Sequence, residues 1–283
     1  MEKLISKRNF GQTGLQLTCV GLGGEGILRT YGKENAAKEV IDNAASLGIE
    51  YFDSAQAYAG SQAYLGGFWR DNAKLRQGIF QTSKSAIRDK KGALSELDNS
   101  LKTMGIDYLD LWQIHDLRNE ADLQAIESPG GALEAFLEAR DKGKVRFIGV
   151  TGHQDPEVLA RAVQSWPVDT VLMPVNPVER VLGGFLDTTL PAALDKGLAV
   201  IAMKVLGGSH YLSSKAGITP ELLIKYALSQ DISLAIVGCS TPQEVMTLSR
   251  AGHDFTPLSP QEQEEMEGFF RPNAPGLAFY RSW

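Results

Sequence analysis

Four side chains that could act together on a carbonyl group follow three consecutive apolar segments of this 283-residue chain. Asp53 lies in YFDSA, Tyr58 comes five residues later, Lys84 ends GIFQTSK and His115 ends YLDLWQIH. A nearby ammonium favours phenolate, so Lys84 is expected to lower the pKa of Tyr58 from its ordinary value of about 10. Asp53 would keep Lys84 charged, and His115 would donate or relay a hydrogen bond. This set of residue types predicts proton donation to a carbonyl oxygen.

Eight apolar segments that alternate with helix-periodic segments could bring these side chains together. The predicted strands are 17–23, 51–55, 78–84, 108–115, 145–152, 170–176, 199–205 and 234–240. The predicted helices are 34–47, 62–71, 89–104, 130–142, 155–165, 187–196, 219–230 and 242–251. Continuously apolar strands are typical of parallel sheets covered on both faces. The pattern predicts an α/β fold, one (β/α)8 TIM barrel domain over residues 1–283, with catalytic groups at the C-terminal ends of its strands. A tail of about 253–283 is expected over the barrel mouth, and its segment GLAFYRSW is the part expected to reach it.

A glycine pattern near the N-terminus requires a separate explanation. The stretch TCVGLGGEG contains Gly21-x-Gly23-x-x-Gly26, which matches the fingerprint of a Rossmann dinucleotide fold. In that fold the third glycine lies in the first turn of a helix, which faces the pyrophosphate. Here the helical pattern begins only near Glu34, so the glycines are expected to end a strand and open a loop.

Composition and charge exclude several classes of function. The net charge is −6 and no run of Lys or Arg occurs, which argues against nucleic-acid and membrane partners. Cys19 and Cys239 have no metal-binding spacing, so no metal is expected. The N-terminus has no secretory pattern and the longest apolar runs are strand-sized, which predicts a cytoplasmic protein. The oligomeric state stays open.

Three segments resemble the signature segments of one enzyme family. YFDSAQAY, QTSK and YLDLWQIH are similar to those of the aldo-keto reductases, and RNFGQTGLQLTCVGLG is similar to the family's N-terminal strand segment. The resemblance runs from about Arg8 to the last predicted helix. It implies a catalytic tetrad and hydride transfer between a nicotinamide and an aldehyde or ketone, with Tyr58 as the acid in reduction. On this resemblance the tetrad is Asp53, Tyr58, Lys84 and His115.

The resemblance also implies where a nicotinamide cofactor would lie. Thr151, His153 and Asn176 are expected at the nicotinamide carboxamide. The loops after strands 7 and 8 are expected on the phosphates. The full set of candidate cofactor-binding residues is Gly24, Thr151, His153, Asn176, Lys204, Gly207, Gly238, Ser240, Thr241 and Glu244. Glu244 stands where the family often has an arginine for the 2′-phosphate; NADP(H) is still the favoured cofactor, with NAD(H) as the alternative. Thr241 and Glu244 also fit a helix capping box, and both roles can hold at once.

Two other functions fit parts of the pattern. A non-catalytic nicotinamide-binding regulatory subunit, resembling the potassium-channel β subunits, would share the barrel and the cofactor site. A barrel lyase could form a Schiff base on Lys84 or Lys204, because one fold hosts many chemistries. For the reductase, the expected partner is a small carbonyl substrate, and an uncharged aldehyde or ketone is preferred.

Overall fold

Eight parallel strands form a closed barrel in which each strand pairs with the next along the chain and the last pairs with the first. The computed structural model describes residues 4–253 and 255–281. The barrel strands are β3 (Val20–Gly26), β4 (Tyr51–Phe52), β5 (Phe80–Ser85), β6 (Leu109–Ile114), β7 (Val145–Thr151), β8 (Thr170–Pro174), β9 (Ala199–Met203) and β10 (Leu234–Cys239). An antiparallel hairpin precedes them, formed by β1 (Lys7–Asn9) and β2 (Gln16–Thr18). The predicted (β/α)8 TIM barrel is therefore confirmed.

Helices connect the strands and cover the outside of the barrel. The α-helices in the described ranges are α1 (Glu34–Ser46), α2 (Ser61–Asp71), α3 (Lys90–Met104), α4 (Glu120–Glu127), α5 (Ala132–Asp141), α6 (Pro156–Ser165), α7 (Pro177–Leu182), α8 (Leu190–Asp195), α9 (Pro220–Leu228), α10 (Pro242–Gly252), α11 (Pro260–Phe270) and α12 (Ala274–Leu277). Four of them, α4, α7, α11 and α12, are absent from the sequence prediction. The start of α11 was readable, because Ser259 and Glu262 form a capping box with Pro260 in the first turn.

Aromatic side chains fill the N-terminal end of the barrel. Phe10, from the hairpin, lies edge-on to Phe80 with ring centroids 5.1 Å apart. Tyr51 stacks on Phe80 at 5.7 Å. Tyr51 and Phe80 are the first residues of β4 and β5, so this cluster closes the end at which the strands begin. Polar groups that contact a ligand must therefore lie at the opposite end of the barrel, where the strands finish.

The glycine-rich stretch shapes the closure between the first and last barrel strands. Gly23 pairs with Gly238, but the next residue of β10, Cys239, pairs with Gly26. Gly24 and Glu25 therefore form a bulge, which bends a strand and redirects its side chains. A Cβ on Gly23 would lie 2.7 Å from the Gly238 nitrogen, so these strands approach too closely for any side chain there. The glycines serve strand packing, and α1 begins well after them.

Candidate active site

A buried ion pair between neighbouring strands forms the centre of the site. Asp53 follows β4 directly, and Lys84 lies near the end of β5. The Lys84 ammonium donates to both Asp53 carboxylate oxygens at 2.6 Å and to the Ser54 carbonyl at 2.9 Å. All three donors of the ammonium are therefore used. A Schiff base on Lys84 would require this pair to break, which is unfavourable because it would leave a buried, unpaired carboxylate.

Two further groups hold the Asp53 carboxylate. The Thr82 hydroxyl donates to Oδ1 at 3.0 Å, and the Gly24 backbone N–H approaches Oδ2 at 3.4 Å. Thr82 and Lys84 are two residues apart on β5 and therefore lie on the same face of the strand. The sequence analysis did not single out Thr82, although this alternation along QTSK was a usable signal.

Tyr58 lies in the loop after β4 and packs against the ion pair. The Lys84 Nζ is 4.7 Å from the centroid of the Tyr58 ring. The His115 ring, directly after β6, meets the same phenol edge-on with centroids 5.5 Å apart. The structure thus brings the predicted Asp53, Tyr58, Lys84 and His115 together at the C-terminal ends of three adjacent strands.

The protonation of the phenol differs from the sequence expectation. The pKa of Tyr58 is raised well above its ordinary value, first by burial and then by the negative charges of Asp53 and Glu25. The expected lowering by Lys84 does not occur, because the ammonium is bound on both carboxylate oxygens of Asp53 and its charge is largely compensated. Tyr58 is therefore a neutral phenol at ordinary pH, which is the form that can donate a proton.

The other two titratable groups next to the phenol are also governed by burial. Burial lowers the pKa of the Lys84 ammonium, and the Asp53 charge opposes that shift. Burial, followed by the nearby Lys84 charge, lowers the pKa of His115 to about 2. His115 is thus a neutral imidazole. Its buried Nδ1 has no hydrogen-bond partner in the described part of the chain.

A cleft of about 610 Å³ is lined by residues from Tyr58 to the N-terminus of α10. Five of the predicted cofactor-binding residues line it, namely Gly24, Lys204, Gly238, Ser240 and Glu244. The cleft also contains residues that sequence reasoning missed, among them Glu25, Arg29, Met203 and Gln243. The glycines in its wall allow a ligand to approach the backbone closely.

Capping contacts occupy the far end of this cleft. The Thr241 hydroxyl accepts the Glu244 N–H at 3.3 Å, and a Glu244 carboxylate oxygen accepts the Ser240 N–H at 2.6 Å. Thr241 therefore acts as the N-cap of α10. Glu244 thus takes up the Ser240 backbone donor next to the N-terminus of α10.

Gly207 lies outside the cleft lining, and its lack of a side chain has a structural cause. A Cβ at this position would lie 2.4 Å from the Tyr211 ring. The neighbouring Gly208 lines the cleft instead.

The three residues predicted at the nicotinamide carboxamide lie beside the cleft rather than on its lining. The Thr151 hydroxyl accepts the Asp116 N–H at 2.8 Å. His153 Nδ1 lies 2.8 Å from the Tyr280 carbonyl and must donate to it, because a carbonyl oxygen only accepts. Its Nε2 is 3.2 Å from an Asp116 carboxylate oxygen. These contacts join the loops after β6 and β7 to the C-terminal tail.

The Asn176 side chain is likewise held by hydrogen bonds within the protein. Its Oδ1 accepts the Glu179 N–H at 3.0 Å and so caps α7. Its Nδ2 donates to the Lys204 carbonyl at 3.1 Å and to the Tyr280 hydroxyl at 3.0 Å. Both amide donors and the amide oxygen thus have partners within the described chain, which the residue type alone does not reveal.

The C-terminal tail is fixed at the barrel mouth by a second buried ion pair. Arg281 pairs with Glu179, and both side chains are almost fully buried. The same guanidinium donates to the Gly183 carbonyl at 2.7 Å. Phe279, two residues earlier, is 54% exposed and lines the cleft. The tail segment therefore reaches the mouth as expected; Ser282 and Trp283 lie outside the described residues.

Neither metal-ligand clusters nor membrane-spanning helices are found in residues 4–253 and 255–281. In these ranges, no three His, Cys, Asp or Glu side chains are grouped so that they could hold a metal ion. No helix there is both long and apolar enough to cross a bilayer. Cys19 and Cys239 are free, buried thiols.

Comparison with known proteins agrees with this geometry. The sequence profile described as "Aldo/keto reductase family" matches residues 19–219. The chain belongs to this family. The match includes the tetrad and seven of the eight barrel strands, and it confirms the resemblance of the signature segments.

Individual members of the family and related proteins share no more than about a third of their residues with this chain in the matches described below. The chain is 31% identical over 174 residues to "Aldo-keto reductase yakc [NADP(+)]" of Schizosaccharomyces pombe, a match that covers 56% of this chain and 49% of that protein. This chain thus aligns with about half the length of that relative. It is 25% identical to L-galactose dehydrogenase of Arabidopsis thaliana, with 95% of each chain covered. An aldo-keto reductase from Klebsiella pneumoniae, solved in complex with NADPH, shares the fold with a TM-score of 0.77 at 22% identity, and 96% of each chain is covered.

Proposed function

We propose that this protein is an NADP(H)-dependent oxidoreductase that reduces a small aldehyde or ketone to an alcohol, with Tyr58 as the general acid. One observation carries the proposal. The neutral phenol of Tyr58 packs on the buried Asp53–Lys84 pair and lines the same cleft that extends to the N-terminus of α10. The proton donor and the proposed cofactor-binding residues therefore line the same cleft.

The tetrad supplies the proton side of the reaction. A bound nicotinamide supplies or accepts the hydride. Tyr58 holds a proton at its hydroxyl, because burial and the nearby carboxylates raise its pKa. When that proton passes to the carbonyl oxygen, the resulting phenolate is favoured by the Arg29 guanidinium, whose central carbon is 5.0 Å from the ring centroid. In the reverse direction the phenolate is the base.

His115 and the ion pair have supporting roles. The neutral imidazole of His115 stands edge-on to the phenol and is able to donate one hydrogen bond to the carbonyl oxygen. Asp53 keeps Lys84 protonated in a site where burial alone would favour the neutral amine. Preorganised donors of this kind stabilise the charge that develops on the oxygen in the transition state.

The cleft residues fit a dinucleotide. Gly24 and Gly238 leave its wall without side chains, and Lys204 contributes a cation for the diphosphate. The backbone donors at the start of α10 suit a further phosphate, although Glu244 competes for one of them. The Klebsiella pneumoniae neighbour was solved with NADPH and the Schizosaccharomyces pombe relative has NADP(+) in its name, which supports NADP(H). NAD(H) is the alternative cofactor.

The direct test follows the loss of nicotinamide absorbance with NADPH and with NADH over a panel of aldehydes and ketones. Turnover of at least one carbonyl compound is expected, with NADPH as the better donor. Tight cofactor binding without oxidation across the panel would contradict the proposal. It would instead favour the non-catalytic alternative that resembles the potassium-channel β subunits.

A further inference from the structure

An arginine and a glutamate stand at the mouth directly beside the phenol, and the tetrad does not use them. The Arg29 guanidinium lies over the Tyr58 ring, with its central carbon 5.0 Å from the ring centroid. Arg29 Nη1 donates to a Glu25 carboxylate oxygen at 2.7 Å. Both side chains line the cleft that contains Tyr58, and each is about half exposed. The pair is therefore accessible from the same cleft as the Tyr58 phenol.

The local fold places this pair at the mouth. The register shift between β3 and β10 makes Gly24 and Glu25 a bulge, and bulges beside active sites commonly redirect a side chain. A Cβ on Gly238 would lie 2.7 Å from the Glu25 backbone, so β10 must have glycine opposite the bulge. Gly26, with φ of 69°, then begins the short helical turn that ends at Arg29. Two glycines are thus required to hold Glu25 and Arg29 against Tyr58.

The hydrogen-bonding capacity of the pair is largely unused. A guanidinium has five N–H donors, and in the described part of the chain only one Arg29 nitrogen has a hydrogen-bond partner. The second carboxylate oxygen of Glu25 also lacks a partner there and can accept. Donors and acceptors therefore lie side by side with no net charge. A hydroxyl group, which both donates and accepts, matches this arrangement.

The charges of the cleft argue against an anionic substituent. Its lining contains three carboxylates, Glu25, Asp53 and Glu244, and two cations, Arg29 and Lys204. Of these two cations, Arg29 lies over the Tyr58 ring and is already paired with Glu25. A carboxylate or phosphate on the substrate would have to compete with Glu25 for Arg29 and would lie close to the negative charge of Glu25.

We infer that Arg29 and Glu25 are specificity residues that recognise a hydroxyl group near the reacting carbonyl, so that the substrate class is hydroxylated aldehydes and ketones. This inference rests on the proposed reductase function. Removing a charged hydrogen-bond partner of a substrate hydroxyl costs on the order of 10- to 100-fold in kcat/KM for the hydroxylated substrate.

The experiment compares glyceraldehyde with propanal, which has the same carbon number and no hydroxyl groups. The quantity measured is the ratio of their kcat/KM values with NADPH, in the unmodified protein and in Arg29→Met. The ratio is expected to favour glyceraldehyde and to fall about 10- to 100-fold in Arg29→Met. Arg271→Met is the matched control, because Arg271 forms an exposed ion pair with Glu264 on α11 at 2.8 Å, away from the cleft. The control is expected to keep the original ratio.

Other outcomes separate this inference from the proposed function. If neither aldehyde nor any other carbonyl compound is reduced, the proposed function itself fails. If both aldehydes are reduced and Arg29→Met lowers both values equally, Arg29 acts on the fold or on Tyr58 and the inference is wrong. If the anionic aldehyde glyoxylate exceeds glyceraldehyde and is lost in Arg29→Met, the site recognises anions and the hydroxyl assignment is overturned. The melting temperature of each variant shows whether it is folded.

Discussion

Gly24 gives a sharp test of how the phenol is positioned. A Cβ at this position would lie 2.7 Å and 2.8 Å from two carbons of the Tyr58 ring, and 3.1 Å from the Asp53 carbonyl. The backbone of Gly24 does not have a positive φ, so alanine introduces no backbone strain. The Gly24→Ala substitution therefore acts through contact with its neighbours, and its two shortest contacts are with the Tyr58 ring.

The size of the effect follows from these distances. Carbon atoms in favourable contact are about 3.5 to 4.0 Å apart, so the ring must retreat by roughly 0.8 Å or more from the new methyl group. A displacement of about 1 Å of a reacting group costs up to about 100-fold in rate. Overpacking of this kind destabilises a protein by about 1–3 kcal/mol, which leaves a well-folded domain folded.

The assay measures kcat with NADPH and with NADPH carrying deuterium at the transferred position, together with thermal unfolding. Gly24→Ala is expected to lower kcat by about 10- to 100-fold and to raise the isotope effect, since the chemical step then limits turnover. Gly268→Ala is the control: Gly268 lies in α11 and a Cβ there would meet nothing within 4 Å. It is expected to gain about 0.5–1 kcal/mol of stability with unchanged kcat. Full activity of a folded Gly24→Ala variant would refute the claim that β3 fixes the phenol.

Three further predictions concern charge. The pKa of His115 is about 2 in the native protein and ordinarily 6.5, so between these pH values only the unfolded chain binds a proton at this residue. The contribution of His115 to the free energy of unfolding is therefore complete above pH 6.5 and falls by about 1 kcal/mol per pH unit below it. In urea unfolding, His115→Gln should therefore lose less stability than the unmodified protein between pH 6 and pH 4.5, and parallel curves would contradict this. Asp53→Asn should destabilise the protein by about 3–5 kcal/mol, because it removes the carboxylate partner of the buried Lys84 ammonium. The double variant with Lys84→Met should be more stable than Asp53→Asn in urea unfolding, and an equal or lower stability would contradict this. Glu244→Gln should tighten NADPH binding relative to NADH about fivefold, from a Coulomb term of about 1 kcal/mol at an exposed site; an unchanged ratio in fluorescence titrations would place the 2′-phosphate elsewhere.

Local sequence patterns were sufficient for the barrel and for the meeting of the tetrad. Apolar runs mark the strands, and in a parallel barrel every strand ends at the same face, so Asp53, Lys84 and His115 had to converge there. Capping signals were equally local, and the box at Ser259 and Glu262 could have revealed α11. These features depend on residues close together in the chain.

Features that depend on competing interactions of one side chain, or on strand register, could not be predicted from local sequence patterns. The direction of the Tyr58 pKa shift depends on burial and on whether Asp53 already compensates Lys84. Asn176 has an amide suitable for a ligand, yet capping of α7 and the Tyr280 hydroxyl occupy it. Arg29 reaches the phenol only because β3 bulges against β10, a long-range pairing that sequence spacing does not encode.

The central claim is that the Tyr58 hydroxyl donates the proton to the carbonyl oxygen. The most direct measurement compares Tyr58→Phe with the unmodified protein in NADPH-dependent carbonyl reduction and in NADPH binding. The account predicts that kcat/KM falls by about 10²- to 10⁴-fold, while the dissociation constant of NADPH stays within about twofold, because the ring and its packing are retained. Turnover at the original rate in the phenylalanine variant would contradict it.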